Sequence, residues 1–227
     1  MSRETQHVLL LLLGGVMVRI TLDDSYLRYV RPGHKWLLLA AGVVVVVLAV
    51  IALVRDSRGA LAHEPHAGDR HAPWLLLAPV LVIALVAPPA LGAETVGRAG
   101  TVNAVARPAD VFAALPSNAE LTVAEFVQRA VWDTTGSLDG RTVVLTGFTV
   151  HRGAATDLAR LTITCCAADA RPYRVRLDGD VAAEPGTWLR VRGVLQPGTA
   201  TAATGYVPAL TVSGVDVVTA PADPYEY

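Results

Sequence analysis

The chain has 227 residues, 52% of them hydrophobic and 17% charged, a balance too apolar for an ordinary soluble protein of this length. Its 19 Lys and Arg against 20 Asp and Glu give a net charge of −1, which leaves no broad electrostatic footprint for a nucleic acid. The two cysteines, Cys165 and Cys166, are neighbours, and so few exclude a disulfide-dense secreted scaffold or a four-cysteine zinc ribbon.

Composition changes near residue 92. Up to that point charges lie almost wholly between apolar blocks, and beyond it they are spaced as in a globular domain. Residues 1–92 therefore read as a membrane α-helical region of about three transmembrane helices. The first apolar block, Val8 to Val18, becomes long enough only as a helix from Gln6 to Leu22 with Arg19 snorkelling to the headgroups. A signal peptide is the rival reading, but Arg19-Ile20-Thr21-Leu22 is a poor cleavage site. Trp36 to Val54 carries no charge, and at about 1.5 Å per helical residue it reaches roughly the 30 Å hydrocarbon thickness. The third span, Ala72 to Ala93, opens with Trp74 at interface depth and ends at Pro88-Pro89. Lys and Arg near the membrane are too evenly divided for the positive-inside rule to choose a side for the C-terminal domain.

Between the second and third spans stands HEPHAGDRH, with His63, His66 and His71 among Glu64 and Asp69. Imidazoles interleaved with carboxylates can collect a borderline cation such as zinc, although the spacing matches no closed structural site. A plain solvated loop is the competing reading.

Residues 93–119 are rich in Ala, Gly and Val and read as a linker with little regular structure. Thr122-Val123-Ala124-Glu125 has the form of a capping box, followed by apolar residues at helical spacing. From residue 142 the period becomes two, with strands expected at Thr142–His151, Arg160–Cys165, Pro172–Asp178, Thr187–Gln196 and Tyr206–Val218. Five short strands and one helix over residues 120–218 suit a mainly-β domain, an OB-like small barrel, with 219–227 as a tail. Alternation places Arg174 and Arg176 on one face of their strand, and Arg190 and Arg192 on one face of theirs. Were the two strands adjacent, four arginines would form a basic face; an ordinary solvated face is the alternative.

The most unusual segment is Leu161-Thr162-Ile163-Thr164-Cys165-Cys166-Ala167-Ala168-Asp169. Strand alternation through it would bury Cys165 with Leu161 and Ile163 and leave Cys166 near Asp169. Both sulfurs meet one ligand only if the strand ends or bulges there. Thiolates suit zinc, copper(I) or another thiophilic ion, and Asp169 offers a harder third ligand. A packing role and a strained vicinal disulfide are the other readings of the pair.

Several segments together, LLLLLGGVMVRIT, YLRYVRPGHKWLLLAAGVVVVVLAVIAL, WLLLAPVLVIALVAPPALGA, TGFTV, RLTITCCAADARPYRVRL and GTWLRVRGVL, resemble the YcgQ-like bacterial membrane proteins. That resemblance implies an accessory subunit of a two-component permease, encoded beside a multispanning partner similar to organoarsenical exporters. It also raises Cys165, Cys166 and Asp169 as a site for a metal or metalloid ion, while relatives carry denser His runs than His63, His66 and His71. The expectation is a non-enzymatic, multi-pass protein of the cell membrane that binds lipid and a permease subunit but no nucleic acid. Two alternatives are a membrane-anchored thiol redox enzyme and an anchored OB-type binding module. The first lacks a C-x-x-C dithiol, and no P-loop, G-x-S-x-G or H-E-x-x-H fingerprint is present.

Overall fold

The computed structural model describes residues 3–58, 89–100, 103, 112–116 and 118–227. The chain forms two compact units, Met1–Pro89 and Ala90–Tyr227.

In the first unit α1 (Arg3–Leu22) and α2 (Lys35–Arg58) form a hairpin. Glycines set how closely the helices approach. A Cβ on Gly14 would lie 2.8 Å from Val46 Cγ2 and 3.0 Å from the Gly42 carbonyl, and one on Gly42 would lie 3.1 Å from Met17 Cβ. Small residues at a crossing let two helix backbones approach closely. Lys35 Nζ donates to Asp24 Oδ1 (2.6 Å) at the loop end, and His7 Nε2 lies 3.9 Å from Asp56 Oδ2 at the open end.

Among the described residues, one helix is long and apolar enough to cross a membrane, the 25 residues Pro32–Asp56. The apolar stretch Gln6–Leu22 of α1 falls short of that length. The three-helix expectation thus reduces to one segment of sufficient length; the proposed third span at 72–93 lies mostly outside the described residues.

The second unit is mainly β, with a seven-stranded sheet in the order β1-β2-β5-β6-β4-β3-β7. These strands are β1 (Ala119–Leu121), β2 (Thr142–Arg152), β3 (Ala155–Thr162), β4 (Arg171–Asp178), β5 (Trp188–Gln196), β6 (Ala209–Val217) and β7 (Tyr225–Glu226). The pairing of β2 with β3 as well as β5 closes a circuit β2–β5–β6–β4–β3–β2, antiparallel except between β4 and β6. β1 adds in parallel to β2, and β7 in parallel to β3.

Period-two alternation sorts the side chains. Val143, Leu145, Leu158, Tyr173, Val175, Leu177, Leu189 and Val191 are buried in one core with Val123, Phe126 and Val127 of helix α4 (Val123–Trp132). From the opposite faces of β2 and β3, Phe148, Val150, Ala159 and Leu161 join a second cluster with Tyr225 of β7 and Val96 of helix α3 (Ala93–Arg98). Gly193 sits at a register shift where β5 passes β6. A Cβ there would approach Thr211 O to 2.5 Å, so the close contact requires glycine.

The described residues within 93–119 are not a structureless spacer. Val96 of α3 is fully buried, and Asn103 is 2% exposed. Asn103 Nδ2 donates to the carbonyls of Arg174 (3.0 Å) and Tyr206 (2.9 Å), while its Oδ1 accepts from Arg174 N (2.9 Å). Nor are residues 219–227 a free tail, since β7 completes the edge of β3. A buried side chain can thus recruit a stretch whose composition carries no periodic signal.

The four-arginine face does not form. β6 lies between β4 and β5, so their arginines are not on adjacent strands. Arg174 is buried against Asp157, Arg176 Nε reaches the same carboxylate at 2.6 Å, Arg190 pairs with Glu120 and Arg192 with Asp216.

Candidate functional site

The strand carrying the cysteines ends earlier than alternation alone implies. β3 stops at Thr162, and Ile163 N makes its bond outside the β3–β4 ladder, donating to the carbonyl of Glu226 (3.1 Å). Asp169 then turns the chain. Its Oδ1 accepts from Thr164 N and its Oδ2 from Cys165 N, both at 2.8 Å. A single 3-10 turn at Ala167–Asp169, closed by Asp169 N donating to Cys166 O (3.0 Å), returns the chain to β4. One short acidic side chain thus satisfies two amides that the strand has released.

Ending the strand moves Cys165 off the apolar face. Ile163 is buried but Cys165 is exposed and Cys166 half-buried, which corrects the expectation of a buried Cys165. Both thiols are free, with Sγ atoms 3.5 Å apart. Ligand atoms of Cys165, Cys166 and Asp169 all lie within 4.8 Å of one another, the one such grouping of His, Cys, Asp and Glu among the described residues. His63, His66 and His71 lie outside the described residues.

Electrostatics within the cluster follow from these contacts. The Cys165 thiol hydrogen-bonds to Asp169, and this bond, with a smaller contribution from Cys166, pushes its pKa up to about 11. The same thiol bond, joined by the amides of Thr164 and Cys165, holds Asp169 down at about 2. The thiol proton therefore stays on Cys165 at neutral pH, opposite to the depressed pKa of a nucleophilic cysteine. A cation that displaces it would find two sulfurs and a carboxylate oxygen on one solvent-facing turn, a donor set that suits zinc or another thiophilic ion.

The turn is tied to the C-terminus by residues that sequence reasoning missed. Glu226, buried on β7, accepts from Val123 N (2.9 Å) and Ala124 N (3.0 Å), two of the unpaired amides that open α4. Thr122 Oγ1 accepts from Glu125 N (3.0 Å), but the Glu125 side chain pairs with Arg129, so only half of the expected capping box forms. Burial raises the Glu226 pKa, opposed by those two amides and by Arg160, whose Nε lies 3.5 Å from Glu226 Oε1. Arg160 Nη2 also donates to Tyr225 O (3.0 Å), and its guanidinium stacks over Trp188 at 4.8 Å. No periodic signal spans two residues, so β7 had none to offer.

No curated protein and no solved structure matches the chain. Residues 120–227 match the family model of the DUF1980 C-terminal domain, whose description assigns no function and names no YcgQ-like permease.

Proposed function

We propose that the chain is an accessory subunit of a two-component membrane permease, and that Cys165, Cys166 and Asp169 receive a metal or metalloid ion handled by the complex. The observation that carries this reading is the gathering of two thiols and a carboxylate within 4.8 Å on one turn. In the rest of the proposal, α1, α2 and the charge-free run at 72–93 hold the protein in the cell membrane as a multi-pass chain, docked to a multispanning partner. The apolar length of Pro32–Asp56 supports the membrane half. The closed five-strand circuit with a single parallel pair supports an OB-type barrel for the domain that presents the turn.

A thiol redox enzyme with Cys165 as its nucleophile is the weaker reading, because that Asp169-bound thiol, with a pKa of about 11, is almost wholly protonated at neutral pH. An oligonucleotide-binding module is disfavoured by the pairing of Arg176, Arg190 and Arg192 with carboxylates on the barrel surface.

Zinc and trivalent-arsenical titration of the purified full chain, wild type against the Cys165→Ser/Cys166→Ser double variant, tests the ion site. Binding by the wild type that the double variant loses is expected. Equal binding by both would make the pair structural and leave the chain a scaffold for its permease.

A further inference from the structure

We infer that Glu226 is a positioning residue for the Cys165–Cys166 turn, holding it in its ligand-gathering form through the C-terminal strand. This rests on the reading of the turn as an ion site.

The mechanical connection is continuous. Glu226 is fixed from its side chain by the Val123 and Ala124 amides and by Arg160. Its own carbonyl receives Ile163 N, two residues before Cys165. β7 runs parallel to β3 with Leu161 opposite Tyr225 and Thr162 opposite Glu226, so the strand covers the last two residues of β3 before the turn. Tyr225 is anchored in turn: its ring is buried in the second cluster and its hydroxyl accepts from Leu91 N (3.1 Å). The turn is held on its other side by Asp169, within the loop itself. Glu226 thus fixes where the turn leaves the sheet, and Asp169 fixes how it folds.

Beside the buried Tyr225 ring, Glu226 is the main polar anchor of the strand. β7 has only two residues, too few to stay paired through ladder bonds alone. Removing the carboxylate would leave two helix amides without acceptors and Arg160 as a buried charge without its partner, a class of change that strongly destabilises the groups left behind. The strand would detach, Ile163 N would lose its acceptor, and the spacing of the two sulfurs and the carboxylate would no longer be fixed.

The test uses the full chain with Glu226→Ala, Glu226→Gln and, as a control for general loosening of the barrel core, Leu145→Ala. Two readouts are taken under conditions where each variant is folded: hydrogen exchange of the peptide spanning residues 161–170, and zinc affinity. The expected result is exchange at least tenfold faster and zinc affinity at least fivefold weaker in Glu226→Ala. Glu226→Gln, which keeps one acceptor oxygen, should fall between that variant and wild type, and it carries the test if Glu226→Ala does not fold. Leu145→Ala should lie near wild type in both readouts. Exchange in the Glu226 variants no faster than in Leu145→Ala would overturn the positioning role. Faster exchange with unchanged zinc affinity would overturn its importance for the site. Absence of zinc binding in the wild type would instead refute the ion reading, while the exchange comparison would still decide whether Glu226 holds the turn.

Discussion

Replacing Asp169 by Asn in a Cys166→Ser background removes the charge that keeps the Cys165 proton in place and leaves one thiol to follow. The pKa of Cys165 is about 11 against an ordinary 9.0, with Asp169 the leading cause. Its return toward the ordinary value would raise the thiolate fraction near pH 7.5 by up to about a hundredfold. Intrinsic nucleophilicity falls with pKa along a Brønsted slope of about 0.4–0.5, which takes back roughly tenfold. The net expectation is alkylation by iodoacetamide about tenfold faster in Asp169→Asn than with Asp169 present. Cys165 is exposed with Asp169 in place, so access does not limit the reference rate. The assay is the pseudo-first-order rate of mass addition to the intact protein, with the rate's pH profile giving the apparent pKa directly. Equal rates and equal pH midpoints in the two proteins would refute the reasoning, since Asp169 would then not hold the proton.

Two further outcomes follow from the barrel and the turn. Gly193→Ala places a methyl 2.5 Å from Thr211 O and 2.7 Å from Leu210 Cγ, and should cost about 1–3 kcal/mol by overpacking, read as a lower midpoint in thermal or urea unfolding. Acid should open the Cys turn: the folded pKa of Asp169 is depressed to about 2, so its contribution is complete above the ordinary carboxylate range near roughly 4 and is lost as pH falls toward 2. Hydrogen exchange at Thr164 and Cys165, corrected for the intrinsic pH dependence, should lose protection across that interval; protection constant down to pH 2 would contradict the assignment.

Legibility in the sequence followed the range of the interactions. The five barrel strands and the Thr122 helix announce themselves because alternation and helical spacing are local consequences of burying one face, as Tyr173, Val175 and Leu177 illustrate. Strand order is not local: β6 inserting between β4 and β5 separates two arginine rows whose strands follow one another in the sequence. The candidate ligands were legible from residue type, but the exposure of Cys165 was not, because it depends on Asp169 drawing two amides out of the strand pattern. Glu226 gave no signal, for its role arises from contacts with Val123, Ala124 and Arg160, which lie 66 to 103 positions away along the chain. Asn103 escaped for the same reason, its amide being spent on backbone groups of Arg174 and Tyr206.

The central claim is that two sulfurs and a carboxylate on one turn bind one thiophilic ion. X-ray absorption at the zinc edge of the full chain loaded with one equivalent of zinc measures that directly. The account predicts two sulfur scatterers at about 2.3 Å with an oxygen or nitrogen shell at about 2.0–2.2 Å, and loss of both sulfurs in the Cys165→Ser/Cys166→Ser variant. A first shell made only of oxygen and nitrogen in the wild type would contradict it.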